Sequence, residues 1–177
     1  AGRGPWPAVW QDIPNPNPVL VPELPIPLDT PTRLQVPETT AFRGGEGLWY
    51  HEGGLFFTTK GDNRVWHYDI ATQLIDVVYD DNAFAEPMLT GVDNVVVTPG
   101  GDIVVAEDGG DLQVVAISPD GNLQPLVQVV GQDESEITGP AFSPDGKHLY
   151  FSSQRGTQGQ PGMGGITYAV TGPFFNA

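Results

Sequence analysis

The 177-residue chain has no cysteine, which removes disulfides, zinc ribbons and thiol catalysis while leaving its redox compartment undecided. Positive charge is scarce: 7 Lys and Arg stand against 22 Asp and Glu, for a formal charge of −15. Such a balance repels phosphate backbones and anionic lipid, so no nucleic acid and no membrane are expected as partners, and multivalent cations are better candidates. No stretch approaches ~18 continuous apolar residues, so no membrane span is expected. The first residues, AGRGPWPAVW, lack the apolar core of a signal peptide. Only three histidines occur, His51, His67 and His148; their spacing matches no zinc motif, and they read as structural. No Gly-x-Ser-x-Gly elbow supports a serine hydrolase. Glycine-rich RGTQGQPGMGG, Arg155 to Gly165, lacks Gly-Lys-Ser/Thr and precedes no helical pattern, so it reads as a surface loop rather than a phosphate cradle.

What is present is a globular composition, 39% hydrophobic and 10% aromatic, unevenly arranged. Ten of the 18 prolines fall within residues 1–37. Proline removes backbone donors and fixes an extended course, so residues 1–41 read as an extended arm. Its apolar side chains, Trp6, Trp10, Val19, Leu20, Leu24 and Ile26, are expected to lie along an apolar surface. Residues 42–177 consist instead of short β-rich runs, among them GLFFTT, RVWHYDI, DIVVAE, LQVVAIS and HLYFSS. Turn signals such as EGG, PGG and PDG separate them, and no helical period competes.

Three segments stack as a repeat: EGLWYHEGGLFFTTKGDN from Glu46, DNVVVTPGGDIVVAEDGG from Asp93, and GPAFSPDGKHLYFSSQRG from Gly139, with starts 47 and 46 residues apart. A period near ~45 with four strands per unit is the signature of propeller blades. The fold class is therefore all-β, a β-propeller segment of about three four-stranded blades. Closed propellers have four to eight blades, and an open arc leaves strand edges bare. A second polypeptide, or a second copy of the chain, is expected to close the ring.

In a propeller the innermost strands surround the axis, so equivalent positions converge on one site. The repeat places Glu46 and the Asp93/Asn94 pair at matching strand starts, with Glu136 shortly before the third. Carboxylate oxygens suit hard cations such as Ca²⁺ and also serve iron or manganese; solvated loop acids are the plain alternative. In VAEDGGD, Val105 to Asp111, Glu107 and Asp108 end the middle blade's second strand. Adjacent strand residues point to opposite sides, so the two would serve different ions, or merely form an acidic turn before Gly109 and Gly110. Arg43, Lys60 and Arg155 are the cations near this rim that could hold an anionic substrate.

These motifs, FRGGEGLWY, GVDNVVVTPGGDIVVAEDGG, GPAFSPDGKHLYFSSQRG and a closing TGPF, resemble the C-terminal half of the PhoX-type alkaline phosphatases, from about Trp10 to Phe174. The resemblance implies a six-bladed, exported, hence extracytoplasmic, propeller that hydrolyses phosphate monoesters with an iron and calcium cluster. It would make Glu46 and Glu107 iron ligands and Asp108 a calcium ligand, with Asp93 and Glu136 as further calcium candidates. The family's cysteine iron ligand and first glutamate belong to an N-terminal half that these 177 residues do not contain, so activity is not expected from this chain alone. More loosely, the framework is similar to gluconolactonase-like calcium propellers, although Thr138 and Gly139 stand where those carry an axial Asn. A non-enzymatic calcium-stabilised assembly module is a further alternative.

Overall fold

The computed structural model describes residues 3–18, 30–158 and 164–175. Among these, helix is limited to four short 3-10 turns, and none is long and apolar enough to cross a membrane. The chain divides into two compact units, Ala1–Pro7 with Arg43–Ala177, and Ala8–Phe42. In the second unit a 3-10 turn spans Thr32–Leu34. The Gln35 side chain accepts from the Asn15 N–H and donates to the carbonyls of Asn15 and Thr30, each at 2.8 Å. Val19, Leu20, Leu24 and Ile26, expected on an apolar surface, lie outside the described residues, as do residues 159–163 of the glycine-rich loop.

The first unit is a run of three antiparallel sheets. The first blade is built from β2 (Gly45–His51), β3 (Gly54–Thr59), β4 (Arg64–Asp69) and β5 (Leu74–Asp80). A two-residue strand, β1 (Trp6–Pro7), adds a fifth position on the outer edge of β5. Proline is tolerated there because an edge strand leaves one side of its backbone unpaired. The second blade contains β6 (Val92–Val97), β7 (Ile103–Glu107), β8 (Gln113–Ile117) and β9 (Leu123–Gln128). The third has three described strands, β10 (Ile137–Phe142), β11 (His148–Ser153) and β12 (Ile166–Thr171). Together they form a partial β-propeller. The β2–β3 turn has Glu52 and Gly53 both at positive φ, 43° and 87°, the geometry of a two-residue hairpin loop.

The middle blade is apolar on both faces because it is covered on both. Val95, Val97, Ile103, Val105, Val115 and Ile117 pack with Val65 and Tyr79 of the first blade. Val96, Val104, Ala106 and Val114 pack with Ile137, Leu149 and Phe151 of the third. This is why VVV and IVVA run without alternation, whereas β12, covered on one side, alternates half-buried and exposed residues along its whole length.

Candidate metal centre

Each innermost strand carries a register shift at the same place. It falls between Gly45 and Leu48 in β2, between Val92 and Val95 in β6, and between Thr138 and Ala141 in β10. A β-bulge adds a residue against its partner strand and re-aims the side chains around it. The bulged pairs are Glu46–Gly47, Asp93–Asn94 and Gly139–Pro140, the positions aligned by the sequence repeat. Neighbouring bulges lock together. The Gly47 N–H donates to Thr58 Oγ1 at 2.8 Å, and that hydroxyl donates in turn to the Asp93 carbonyl. Asn94 Oδ1 accepts from the Gly139 N–H at 2.6 Å. A Cβ on Gly47 would lie 2.6 Å from the Val95 nitrogen and 2.7 Å from the Asp93 carbonyl oxygen, so only glycine allows this approach.

The second strands end in a matching set. Thr59 faces Gly45, Glu107 faces Val92 and Ser153 faces Ile137, and all three side chains are fully buried. Here Glu107 ties down its surrounding loops. Its Oε1 accepts from the Thr90 N–H at 2.6 Å and its Oε2 from the Gln113 N–H at 2.8 Å. Burial nonetheless pushes its carboxyl up to about 7, since the two N–H donors only partly offset desolvation. A Cβ on Gly110, at φ +65°, would sit 2.4 Å from Thr90 Oγ1, which explains the second glycine of EDGG.

The residues one step further on, Lys60, Asp108 and Gln154, meet at the same end of the strands. Asp108 forms an isolated antiparallel bridge with Glu136, and one carboxylate oxygen from each of Asp93, Asp108 and Glu136 lies within 4.8 Å of the others. Two cations are set among them. The Lys60 ammonium donates to Asp108 Oδ2, and the Arg155 guanidinium lies 3.0 Å from Glu136 Oε2 and 3.7 Å from Asp108 Oδ1. Gln154 Nε2 donates to Glu136 Oε1 at 3.0 Å. Asp93 is buried; desolvation, followed by the charge of Glu46, raises its carboxyl above the ordinary range, with Lys60 opposing. Arg43 is exposed, and its carbonyl accepts from the Gly61 N–H next to Lys60.

Of the eight sequence candidates, Asp93, Asp108, Glu136, Lys60 and Arg155 thus form one cluster. Glu46 borders it through its field on Asp93, Arg43 borders it through its backbone, and Glu107 faces the Thr90 and Gln113 backbone instead. Asn94, which the repeat pairs with Asp93, orders the cluster through the Gly139 N–H; Thr58 and Gln154, which also order it, carry no motif of their own, and the bulges that align them arise from backbone pairing.

The donor set fits a hard cation. Oxygens bound to one calcium at ~2.3–2.6 Å are at most about 5 Å apart, a limit that the three carboxylates meet. Lys60 and Arg155 neutralise part of the same charge and would have to yield to such an ion.

A family model described as "Alkaline phosphatase PhoX" matches residues 61–156, more than half of the chain and a span that holds Asp93, Glu107, Asp108, Glu136 and Arg155. No curated protein matches. Among solved structures, a structural genomics protein of unknown function from Bacteroides thetaiotaomicron VPI-5482 superposes with a TM-score of 0.51 at 15% identity, covering 64% of this chain. The chain spans only 28% of the length of that protein. With three repeats of one blade, acidic residues gathered at one end of the inner strands and a family model matching across them, the chain belongs to the PhoX alkaline phosphatase family.

Proposed function

We propose that the chain supplies the C-terminal part of a metal-dependent phosphomonoesterase site. The observation that carries this reading is the convergence of Asp93, Asp108 and Glu136 with the cations Lys60 and Arg155 in the region matched by, or bordering, the PhoX model. The three carboxylates hold a calcium ion. Iron at Glu46 and Glu107 is supported by the family resemblance, and so is an extracytoplasmic location. Bound metal supplies polarisation of the phosphoryl oxygens and absorbs developing negative charge.

The chain's own residues do the rest. With the carboxylates engaged by a cation, the Lys60 ammonium and the Arg155 guanidinium lose their partners while still facing the cluster. A phosphate dianion satisfies them there, and the planar guanidinium suits two phosphate oxygens at once. Arg43, exposed beside the Lys60 backbone, extends the positive rim towards the ester. A second polypeptide completes the ring and the other wall of the site. The test is hydrolysis of p-nitrophenyl phosphate by a preparation containing this chain and the rest of the propeller, loaded with iron and calcium. Turnover is expected with both metals; its absence in such a preparation refutes the phosphatase reading.

The exposed Leu48, Trp49 and Tyr50 of β2, 64%, 41% and 61% accessible, favour a second reading, a calcium-stabilised assembly module. That reading expects a stable assembly without turnover, and a monomer by mass in solution contradicts it.

A further inference from the structure

Two hydroxyls of the third blade, Ser135 and Ser153, are both fully buried and hydrogen-bond to each other at 2.7 Å. Ser153 ends β11, where Thr59 and Glu107 end the second strands of the first two blades. Ser135 lies in the loop before β10, one residue before Glu136. This pair reaches Arg155, whose N–H donates to Ser135 Oγ at 2.9 Å. The Arg155 guanidinium is held at two further points: Nη2 donates to Glu136 Oε2 at 3.0 Å and Nη1 to the Glu134 carbonyl at 3.3 Å. The chain on either side is also fixed. The Gln154 N–H donates to the Glu136 carbonyl at 2.9 Å, and Gly156, at φ +54°, turns so close to the Gly164 carbonyl that no Cβ fits there.

We propose that Ser135 is a positioning residue for Arg155: paired with Ser153, it holds the Arg155 main chain so that the guanidinium faces Asp108 and Glu136 and occupies part of the cation site until calcium enters. A long charged side chain on a free loop loses rotamer entropy when it pairs, which cancels much of the attraction. Here the main chain is already set and the planar guanidinium has two fixed acceptors, so less is lost. Arg155 therefore competes for the cluster more strongly than its 3.7 Å separation from Asp108 Oδ1 alone would allow. Replacing Ser135 alone leaves the Ser153 hydroxyl without its partner, whereas replacing both removes the pair and leaves neither hydroxyl unsatisfied. With phosphate bound, the same hold aims the guanidinium at its oxygens; that consequence rests on the phosphatase reading, and the hold on Arg155 does not.

Two measurements on the metal-free 177-residue chain test the proposal. In nitrogen NMR spectra a clamped guanidinium gives separate signals for its two Nη atoms, because rotation about Cζ–Nε is slow. The parent chain is expected to show them for Arg155, and Ser135→Ala/Ser153→Ala to merge them. Calorimetric calcium titration is the second readout. Arg155→Met removes a competing charge and should raise calcium affinity about tenfold. The double serine variant should raise it about threefold or more, since a loosened guanidinium competes less, and should change nothing in the Arg155→Met background. Ser135→Ala alone should act in the same direction. A purely structural role for Ser135 in the Glu136 loop has the opposite sign, because calcium affinity then falls in both backgrounds; that result overturns the proposal. So do equal effects in the two backgrounds, or Nη signals that are merged in the parent chain or stay separate in the variant. If the parent chain binds no calcium, the cation site fails, and the Nη signals still decide whether Ser135 holds Arg155. Phosphatase activity enters neither readout.

Discussion

Replacing Glu107 with glutamine removes a fully buried ionisable group while keeping its shape. Its carboxyl is pushed from the ordinary 4.5 up to about 7. At about 1.4 kcal/mol per pH unit, that shift links proton binding to about 3 kcal/mol of stability. The folded state keeps its proton to higher pH than the unfolded chain does. The stabilisation is therefore complete below pH ~4.5 and disappears as pH rises through about 7. Glutamine cannot titrate, and its amide group can accept from only one of the Thr90 and Gln113 N–H groups, leaving the other unpaired at a cost of about 1–3 kcal/mol. In urea titrations with chelator present, Glu107→Gln should thus be less stable than the parent chain at pH 5. The gap should close or reverse by pH 8. Because the other carboxylates titrate in both proteins, the difference between the two curves isolates Glu107. Parallel curves from pH 5 to 8 would refute the assignment of a buried, upshifted carboxyl.

Other expectations concern packing and charge. Gly47→Ala places a methyl against the backbone of Val95 and Asp93, which cannot rotate away; a loss of about 2–3 kcal/mol by denaturant melting is expected, and a loss below about 0.5 kcal/mol would show that the bulges do not interlock as described. Lys60→Met takes away the ammonium that competes for Asp108, so calcium affinity should rise about tenfold in a calorimetric titration; an unchanged or weaker affinity would remove Lys60 from the cluster. Asp108→Asn leaves Lys60 and Arg155 facing fewer charges, and bound metal measured by elemental analysis should fall while the far-UV spectrum stays that of a β protein.

The blade pattern was legible in the sequence because it is a periodic property. Strand runs, turn signals and a spacing of 47 and 46 residues located β2 to β12, whereas β1, at Trp6–Pro7, falls in the proline-rich stretch that reads as an arm. The strand ending at Glu107 was legible for the same reason. Less legible was the direction each acid takes. Glu46 and Asp93 sit in β-bulges, whose extra residue breaks simple alternation, and a bulge is set by pairing with the next strand rather than by composition. Glu107 and Asp108 have separate partners, yet the Thr90 N–H that engages Glu107 comes from the loop before β6 and the Gln113 N–H from the first residue of β8, neither with a motif of its own. Lys60 and Arg155 were visible as scarce cations, whereas their pairing with Asp108 and Glu136 required the blades to be brought side by side.

The proposed phosphatase site stands or falls with Asp93, Asp108 and Glu136 holding one hard cation together. The decisive experiment is a calorimetric calcium titration of the metal-free 177-residue chain beside the Asp93→Asn/Glu136→Gln double variant. The predicted result is saturable binding of calcium by the parent chain and a loss of at least tenfold in affinity in the variant, with the fold retained. Binding of equal strength in both proteins, or no saturable binding by the parent chain, would contradict it.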